Sequence, residues 1–154
     1  MSENTCFYAK YDVFGQGLDT LLTSDCKRKL YIRIDQFTTN NPNLFKEGKY
    51  FVQVEQEGTY KVSIDGYLDF DCYDDVSVML VNLDQNEILG SNIVRTENNF
   101  PLNFIGNLNT GDRLAVVIVR VCSCDEIKAK KMCTVKVNFN MNLCGGRIIE
   151  PQDS

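Results

Sequence analysis

The stretch Gly58-Thr-Tyr-Lys-Val-Ser-Ile-Asp-Gly-Tyr-Leu-Asp-Phe70 alternates apolar and polar side chains over its whole length. Because successive side chains of a β-strand point to opposite faces, this period of two predicts a long strand with one buried face. The predicted inward set is Tyr60, Val62, Ile64, Leu68 and Phe70. Gly66 also falls on the inward set, where the missing side chain indicates a bulge or a close approach by another part of the chain.

The same pattern continues on both sides of this stretch. Further strands are predicted at Phe7–Phe14, Leu30–Asp35, Lys49–Val54, Val76–Val81, Ile88–Val94 with an interruption at Gly90-Ser91, Leu102–Leu108, Leu114–Val121 and Thr134–Met141, in which Phe139 faces inward. A polar loop is expected at Thr38–Pro42, and turns at Leu83–Glu87 and Asn109–Asp112. About ten strands without a crossover helix predict an all-β fold, a single antiparallel jelly-roll β-sandwich. We expect one domain over 1–154, with core strands at about 6–142 and a C-terminal tail at 143–154.

Composition and charge limit the functions that can be expected of this chain. The chain has 154 residues, a net charge of -5 and no histidine. Without imidazole there is no Ser–His or Cys–His pair, and no two acids stand out for glycoside hydrolysis, so we predict no enzymatic activity and no cofactor. A pI near 4.7 disfavours nucleic acid as a partner. The longest apolar run, Leu114–Val119, is far shorter than the ~20 residues of a membrane span, so no membrane insertion is expected.

Several motifs, in their order and spacing, resemble the jelly roll of the C1q/tumour-necrosis-factor superfamily. That family carries an Ile-x-Phe-Asp strand, an Asn-rich loop, Gly-x-Phe and Gly-x-Tyr-x-Phe strands, and a Leu-x-x-Gly-Asp-x-Val step. The similar segments, within roughly residues 30–142, are Ile32-Arg-Ile-Asp35, Asn40-Asn41, Gly48-Lys-Tyr-Phe51, Gly58-Thr-Tyr60-Lys-Val62 and Leu108-Asn-Thr-Gly-Asp-Arg-Leu114. Ile34 stands where the family prefers phenylalanine. The resemblance implies a sandwich that assembles as a compact trimer, binds other proteins and uses Tyr60 as a packed structural tyrosine.

The cysteines allow two interpretations. Seven is an odd number, so at least one thiol stays free. Cys122 or Cys124 and Cys133 flank one hairpin loop, and a disulfide between the adjacent strands would close a loop of about ten residues. Free, half-buried thiols are the alternative that we favour for a chain made in the cytosol. A zinc site is disfavoured, because the gaps between these cysteines are wide and unequal.

A cluster of acids lies at the end of the long strand. Asp69, Asp71, Asp74 and Asp75 carry the oxygen ligands that Ca²⁺ prefers, and some C1q-like trimers use loop carboxylates in this way. No EF-hand pattern accompanies them. The alternation of Asp69 and Asp71 with apolar neighbours favours a solvated strand end, so we predict no metal.

Two functions from different classes remain open. The first is a structural virion protein, a minor capsid, penton or fibre-type subunit that contacts other structural proteins. It is favoured because Met1-Ser-Glu-Asn-Thr-Cys6 lacks the features of a secretory signal and no Asn-x-Ser/Thr acceptor is present, which predicts synthesis in the cytoplasm. The alternative is an extracellular C1q/TNF-like trimer that recognises a receptor or ligand. Self-association is expected for either function, as a trimer or alternatively a pentamer. The C1q/TNF-like trimer predicts outward aromatics such as Phe37 and Tyr67 at its interface.

Overall fold

The computed structural model of this protein describes residues 7–20, 29–70, 76–94, 99–120 and 133–146. Within these ranges the chain forms eleven β-strands and no helix. The strands are β1 Phe7–Thr20, β2 Lys29–Tyr31, β3 Gln36–Thr39, β4 Phe45–Glu47, β5 Val52–Val54, β6 Gly58–Phe70, β7 Val76–Asn82, β8 Glu87–Val94, β9 Leu102–Leu108, β10 Arg113–Arg120 and β11 Cys133–Gly146.

The strands form two antiparallel sheets. The order in the five-stranded sheet is β3-β1-β11-β6-β9, and in the six-stranded sheet it is β4-β5-β10-β7-β8, with β2 also paired to β10. The long strands β1 and β11 lie side by side from Phe7 opposite Gly145 to Thr20 opposite Cys133. One apolar cluster contains side chains from both sheets, so the sheets pack face to face. The predicted all-β antiparallel sandwich is confirmed.

The alternation in β6 places its apolar side chains between the sheets. Tyr60, Val62, Ile64 and Leu68 are at most 2% exposed, and Phe139 of β11 is 5% exposed. Burial of a phenol requires a partner for its hydroxyl group. Tyr60 donates to the carbonyl oxygen of Gln56 at 2.6 Å, and Tyr11 donates to that of Ile32 at 3.1 Å.

Gly66 is the point of close approach in the core. The ring of Phe100, which is fully buried, covers the backbone of Gly66. A Cβ atom on Gly66 would lie 2.2 Å from the Cζ atom of Phe100. The backbone of Phe100 also donates to the Gly66 carbonyl oxygen at 3.1 Å. Of the two interpretations of Gly66, a bulge or a close approach by another part of the chain, the structure therefore shows the close approach.

Several predicted boundaries differ from those of the structure. The expected strand Leu30–Asp35 is regular only to Tyr31, although the amide groups of Ile32 and Ile34 still donate to Val116 and Lys49. The expected polar loop at Thr38–Pro42 overlaps the short edge strand β3, which pairs with β1. An edge strand exposes most of its side chains, so its sequence carries little apolar alternation.

The last strand is longer than its alternation indicates. β11 continues to Gly146, and Leu143 is fully buried, so the expected tail does not begin at 143. In β8, the predicted interruption at Gly90 is a register shift opposite Leu80 and Val81 within a continuous strand. Such a bulge keeps the pairing while rotating the side chains that follow it.

Candidate functional site

The sandwich edge formed by β8 and β9 carries exposed apolar side chains. β8 ends the six-stranded sheet, β9 ends the five-stranded sheet, and the two strands contact each other. Ile88 and Ile93 of β8 are 55% and 46% exposed, and Ile105 of β9 is 70% exposed. We call this surface the β8–β9 edge.

The β8–β9 edge also lacks charge. After Glu87, neither Ile88–Val94 nor Leu102–Leu108 contains an acidic or basic residue. Natural edge strands usually carry charged side chains or prolines, because an uncovered, uncharged edge pairs with other chains. The combination of exposed isoleucines and missing charge suits a surface that another protein covers.

The two residues expected at an oligomer interface face in different directions. Tyr67 of β6 is 46% exposed on the outer face of the five-stranded sheet. Phe37 of β3 instead packs against the core cluster, so its expected outward position is wrong. Tyr8 and Phe14 of β1 are further exposed aromatics on the outer face. Sequence reasoning did not single them out, although Tyr8 alternates with buried Ala9 and Tyr11.

A small second apolar cluster lies on the outer side of the six-stranded sheet. Val81, Ala115 and Val117 are at most 4% exposed there, and Phe51, Met79 and Leu83 pack against them. Their neighbours Leu80, Leu114 and Val116 belong to the main core. Burial on both faces explains why β7 and β10 are nearly continuous apolar runs.

A network of charged and polar groups joins the turns at one end of the sandwich. Arg113 lies 3.0 Å from Asp84, and its backbone amide also donates to that carboxylate at 2.8 Å. These hydrogen bonds hold the pKa of Asp84 below its usual range. Asp112 is 3% exposed and accepts from the backbone amide of Asn109 at 2.8 Å and from Gln85 at 3.4 Å. The carboxylates of Asp84 and Asp112 therefore connect these turns through hydrogen bonds.

The candidate calcium and disulfide residues considered from the sequence lie mostly outside the described residues. Asp69 belongs to β6, opposite Lys136, whereas Asp71, Asp74 and Asp75 are outside the described residues. Within the five described ranges, no three His, Cys, Asp or Glu residues are grouped to hold a metal ion.

One cysteine in the described part of the chain, Cys144, contradicts the expectation of free thiols. Cys122 and Cys124 are outside the described residues, and only the backbone of Cys133, at the start of β11, is described. Cys144 is disulfide-bonded. The favoured interpretation of free, half-buried thiols is therefore wrong for Cys144. Cys144 lies in the segment that the sequence predicts as a C-terminal tail, where no strand pairing indicates a disulfide.

Comparison with known proteins places the fold. No protein-family model matches the chain, and no curated protein is similar to it in sequence. The structure of murine APRIL at pH 8.5 is similar, with 15% identity and a TM-score of 0.54 over 90% of this chain and 98% of that one. The Eiger TNF of S. frugiperda has 16% identity and a TM-score of 0.50, over 97% and 99% of the two chains.

These similar structures agree with the resemblance found in the sequence motifs. Both are jelly rolls of the tumour-necrosis-factor family. No helix in the described part of the chain is long and apolar enough to span a bilayer. The strand order in the two antiparallel sheets and the match over most of each chain lead to one conclusion: the protein has the C1q/tumour-necrosis-factor-like jelly-roll fold.

Proposed function

We propose that this protein is a non-enzymatic, extracellular binding module that acts as a homotrimer and recognises another protein. The observation that carries the proposal is the β8–β9 edge, which leaves Ile88, Ile93 and Ile105 exposed on a tumour-necrosis-factor-like sandwich. The similar structures favour this function over the virion subunit, for which they offer no support.

The β8–β9 edge suits one half of a ring-forming interface. A trimer with threefold symmetry joins two different surfaces of each copy, because every subunit meets its neighbour head to tail. The β8–β9 edge would be one of these surfaces. The exposed ring of Tyr67, the remaining interface candidate from the sequence, lies on the outer sheet face and would belong to the other.

The disulfide of Cys144 supports an extracellular location. Disulfides persist in oxidising compartments and are rare in the cytosol. The acidic net charge of -5 favours protein over nucleic-acid partners. We therefore favour secretion over the cytoplasmic location that the N-terminal sequence predicts.

A light-scattering experiment tests the trimer. The wild-type chain should have about three times its monomer mass of 17.5 kDa. Ile93→Lys and Ile105→Lys should each lower the mass, because burying an unpaired ammonium group costs several kcal/mol (order of magnitude ~3). Asn43→Lys is the matched control, since it adds the same charge to an exposed position in the β3–β4 connection and should leave the mass unchanged.

Circular dichroism separates dissociation from unfolding in these variants. A β-type spectrum with a monomer mass supports the β8–β9 edge as the interface. A wild-type chain that stays monomeric contradicts the trimer, and variants that keep the trimer mass contradict this choice of surface.

A further inference from the structure

The disulfide-bonded residue Cys144 lies near one end of the five-stranded sheet. It is opposite Tyr8 of β1 on one side and Lys61 of β6 on the other. Leu143, the residue before it, is fully buried, whereas Tyr8 is 44% exposed. Because opposite residues of a ladder point to the same face, the Cys144 side chain lies on the outer face of this sheet. Its partner must reach that place, since the Cα atoms of a disulfide are about 4.4–6.8 Å apart.

Two cysteines are too far from Cys144 along the sheet. Cys133 starts the same strand, eleven residues before Cys144, which is about 36 Å at 3.3 Å per residue. Thr20, the last residue of β1, lies opposite Cys133. The six residues from Thr20 to Cys26 span at most about 22 Å. Neither Cys133 nor Cys26 can therefore bond to Cys144.

Three more cysteines follow strands that end far from Cys144. Cys72 comes two residues after β6, which ends next to Val135, about 30 Å from Cys144 along β11. Cys122 and Cys124 follow β10, a strand of the other sheet. β10 starts from the turn that follows β9, at the end of the sandwich where Cys144 lies, and runs away from it. The core separates the end of β10 from the outer face that carries the Cys144 side chain.

Cys6 is the remaining cysteine, and its place in the sequence suits the bond. It lies outside the described residues, one position before Phe7, the first residue of β1. Phe7 is opposite Gly145, which follows Cys144. The Cα atoms of Phe7 and Cys144 are therefore about 6 Å apart, one strand spacing across and one residue along. A single peptide step of about 3.8 Å from Phe7 allows Cys6 to come within disulfide distance.

We propose that Cys6 and Cys144 form a disulfide that fastens the N-terminal segment to β11. As the S–S bond forms, the two thiols lose two protons and two electrons, and a disulfide of a cellular oxidant takes them up and becomes two thiols. The bond closes a loop around nearly the whole domain, so it strongly restricts the unfolded chain. This covalent site goes beyond the proposed protein-binding function. It lies within one chain and does not require the trimer.

Peptide mapping of the full chain, folded in a glutathione redox buffer, tests the pairing. Free thiols are blocked with N-ethylmaleimide before the protein is unfolded and cleaved with trypsin without reductant. Cleavage after lysine and arginine places Cys6 on Met1–Lys10 and Cys144 on Val137–Arg147, and neither peptide contains another cysteine. Mass spectrometry should find these two peptides joined, and a reductant should separate them.

Serine variants give a second, independent measurement. Cys6→Ser and Cys144→Ser should each add one free thiol per chain, and the double variant should add none, because the two residues share one bond. At equal protein concentration, each single variant should lower the urea midpoint by about 1–2 M, and the double variant should lower it no further. Cys26→Ser is the matched control, since it should leave the joined peptides unchanged.

Several outcomes would overturn the pairing. They are a Val137–Arg147 peptide that is unlinked, a link from it to a peptide with any other cysteine, or a link between two copies of the chain. A loss of stability from Cys144→Ser without a similar loss from Cys6→Ser also contradicts it. Light scattering on the same sample separates the two proposals: joined peptides in a monomer keep the disulfide and contradict the trimer, whereas a trimer without them does the reverse.

Discussion

At the scale of single residues, the pair of Gly66 and Phe100 shows how a missing side chain shapes this core. The alternation of β6 places position 66 between the sheets, and Phe100 fills the space that a side chain would take. Gly90 of β8 is a useful contrast, since the nearest atom to a Cβ there is the Asn103 carbonyl oxygen at 3.7 Å. The cost of adding a side chain at a glycine therefore depends on the neighbouring atoms in the core and not on the position of the glycine in its strand.

This contrast predicts the stability of two variants. Gly66→Ala should lower the free energy of unfolding by roughly 1–3 kcal/mol, because the new methyl group must displace the Phe100 ring in a packed core. Gly90→Ala should change it by less than about 0.5 kcal/mol or raise it slightly, since the site has room. Urea unfolding midpoints of both variants measure the difference. Equal losses for the two variants would contradict the packing seen around Gly66.

At the scale of elements, local alternation predicts strands well where one face is buried. β9 has the bounds that its sequence indicates, β7 ends one residue later than expected, and β10 begins one residue earlier. The short strands β3 and β4 were missed, because an edge strand needs few apolar side chains and draws its pairing from a distant partner. The continuation of β11 past Met141 was missed because Leu143 is the single buried apolar side chain there, between Asn142 and Cys144 and before two glycines.

Gly111, in the turn between β9 and β10, is the basis for a second pair of stability variants. Gly111 has φ +90°, and a methyl group there would meet no atom within 4 Å, so backbone strain alone sets the cost. Gly111→Ala should lower the free energy of unfolding by about 1 kcal/mol, and Gly111→Asn by less, because asparagine tolerates positive φ. Urea unfolding of both variants measures this order. A loss from Gly111→Asn as large as that from Gly111→Ala would contradict it.

At the scale of the whole molecule, buried phenols make the sandwich sensitive to high pH. Burial raises the pKa of Tyr60 from 10.0 to about 12. Burial, and then the charge of Asp35, raise the pKa of Tyr11 as well. The folded state therefore holds these protons more tightly than the unfolded state. This stabilisation is complete below pH 10 and declines as the pH rises through the folded pKa.

Tyr60→Phe tests this pH dependence. At neutral pH the variant should be about 1 kcal/mol less stable, because it loses the hydrogen bond to Gln56. From pH 10 to 12 it should lose less stability than the wild type, since it has no proton to release there. Denaturant unfolding at a series of pH values measures both effects, with Tyr50→Phe, on an exposed ring, as the control. Parallel curves for wild type and Tyr60→Phe would contradict the role of Tyr60.

The sequence by itself determined that this chain forms strands and which side chains face the core. Both follow from a period of two, which is a local property: Tyr60, Val62 and Ile64 lie on one face wherever β6 is placed. The motifs around Gly58 and Leu108 also indicated the fold family, and the similar structures confirm that indication at the level of fold.

Only the tertiary structure decided which outward residues become neighbours. Asp12, Asn140 and Asp65 form one row because β11 lies between β1 and β6, and Ile93 and Ile105 share an edge because β8 and β9 end their sheets. Strand order and register depend on contacts between distant segments, and those contacts are set by packing of the whole core. A local pattern does not specify these contacts, so the grouping of the outward residues became visible only in the folded chain.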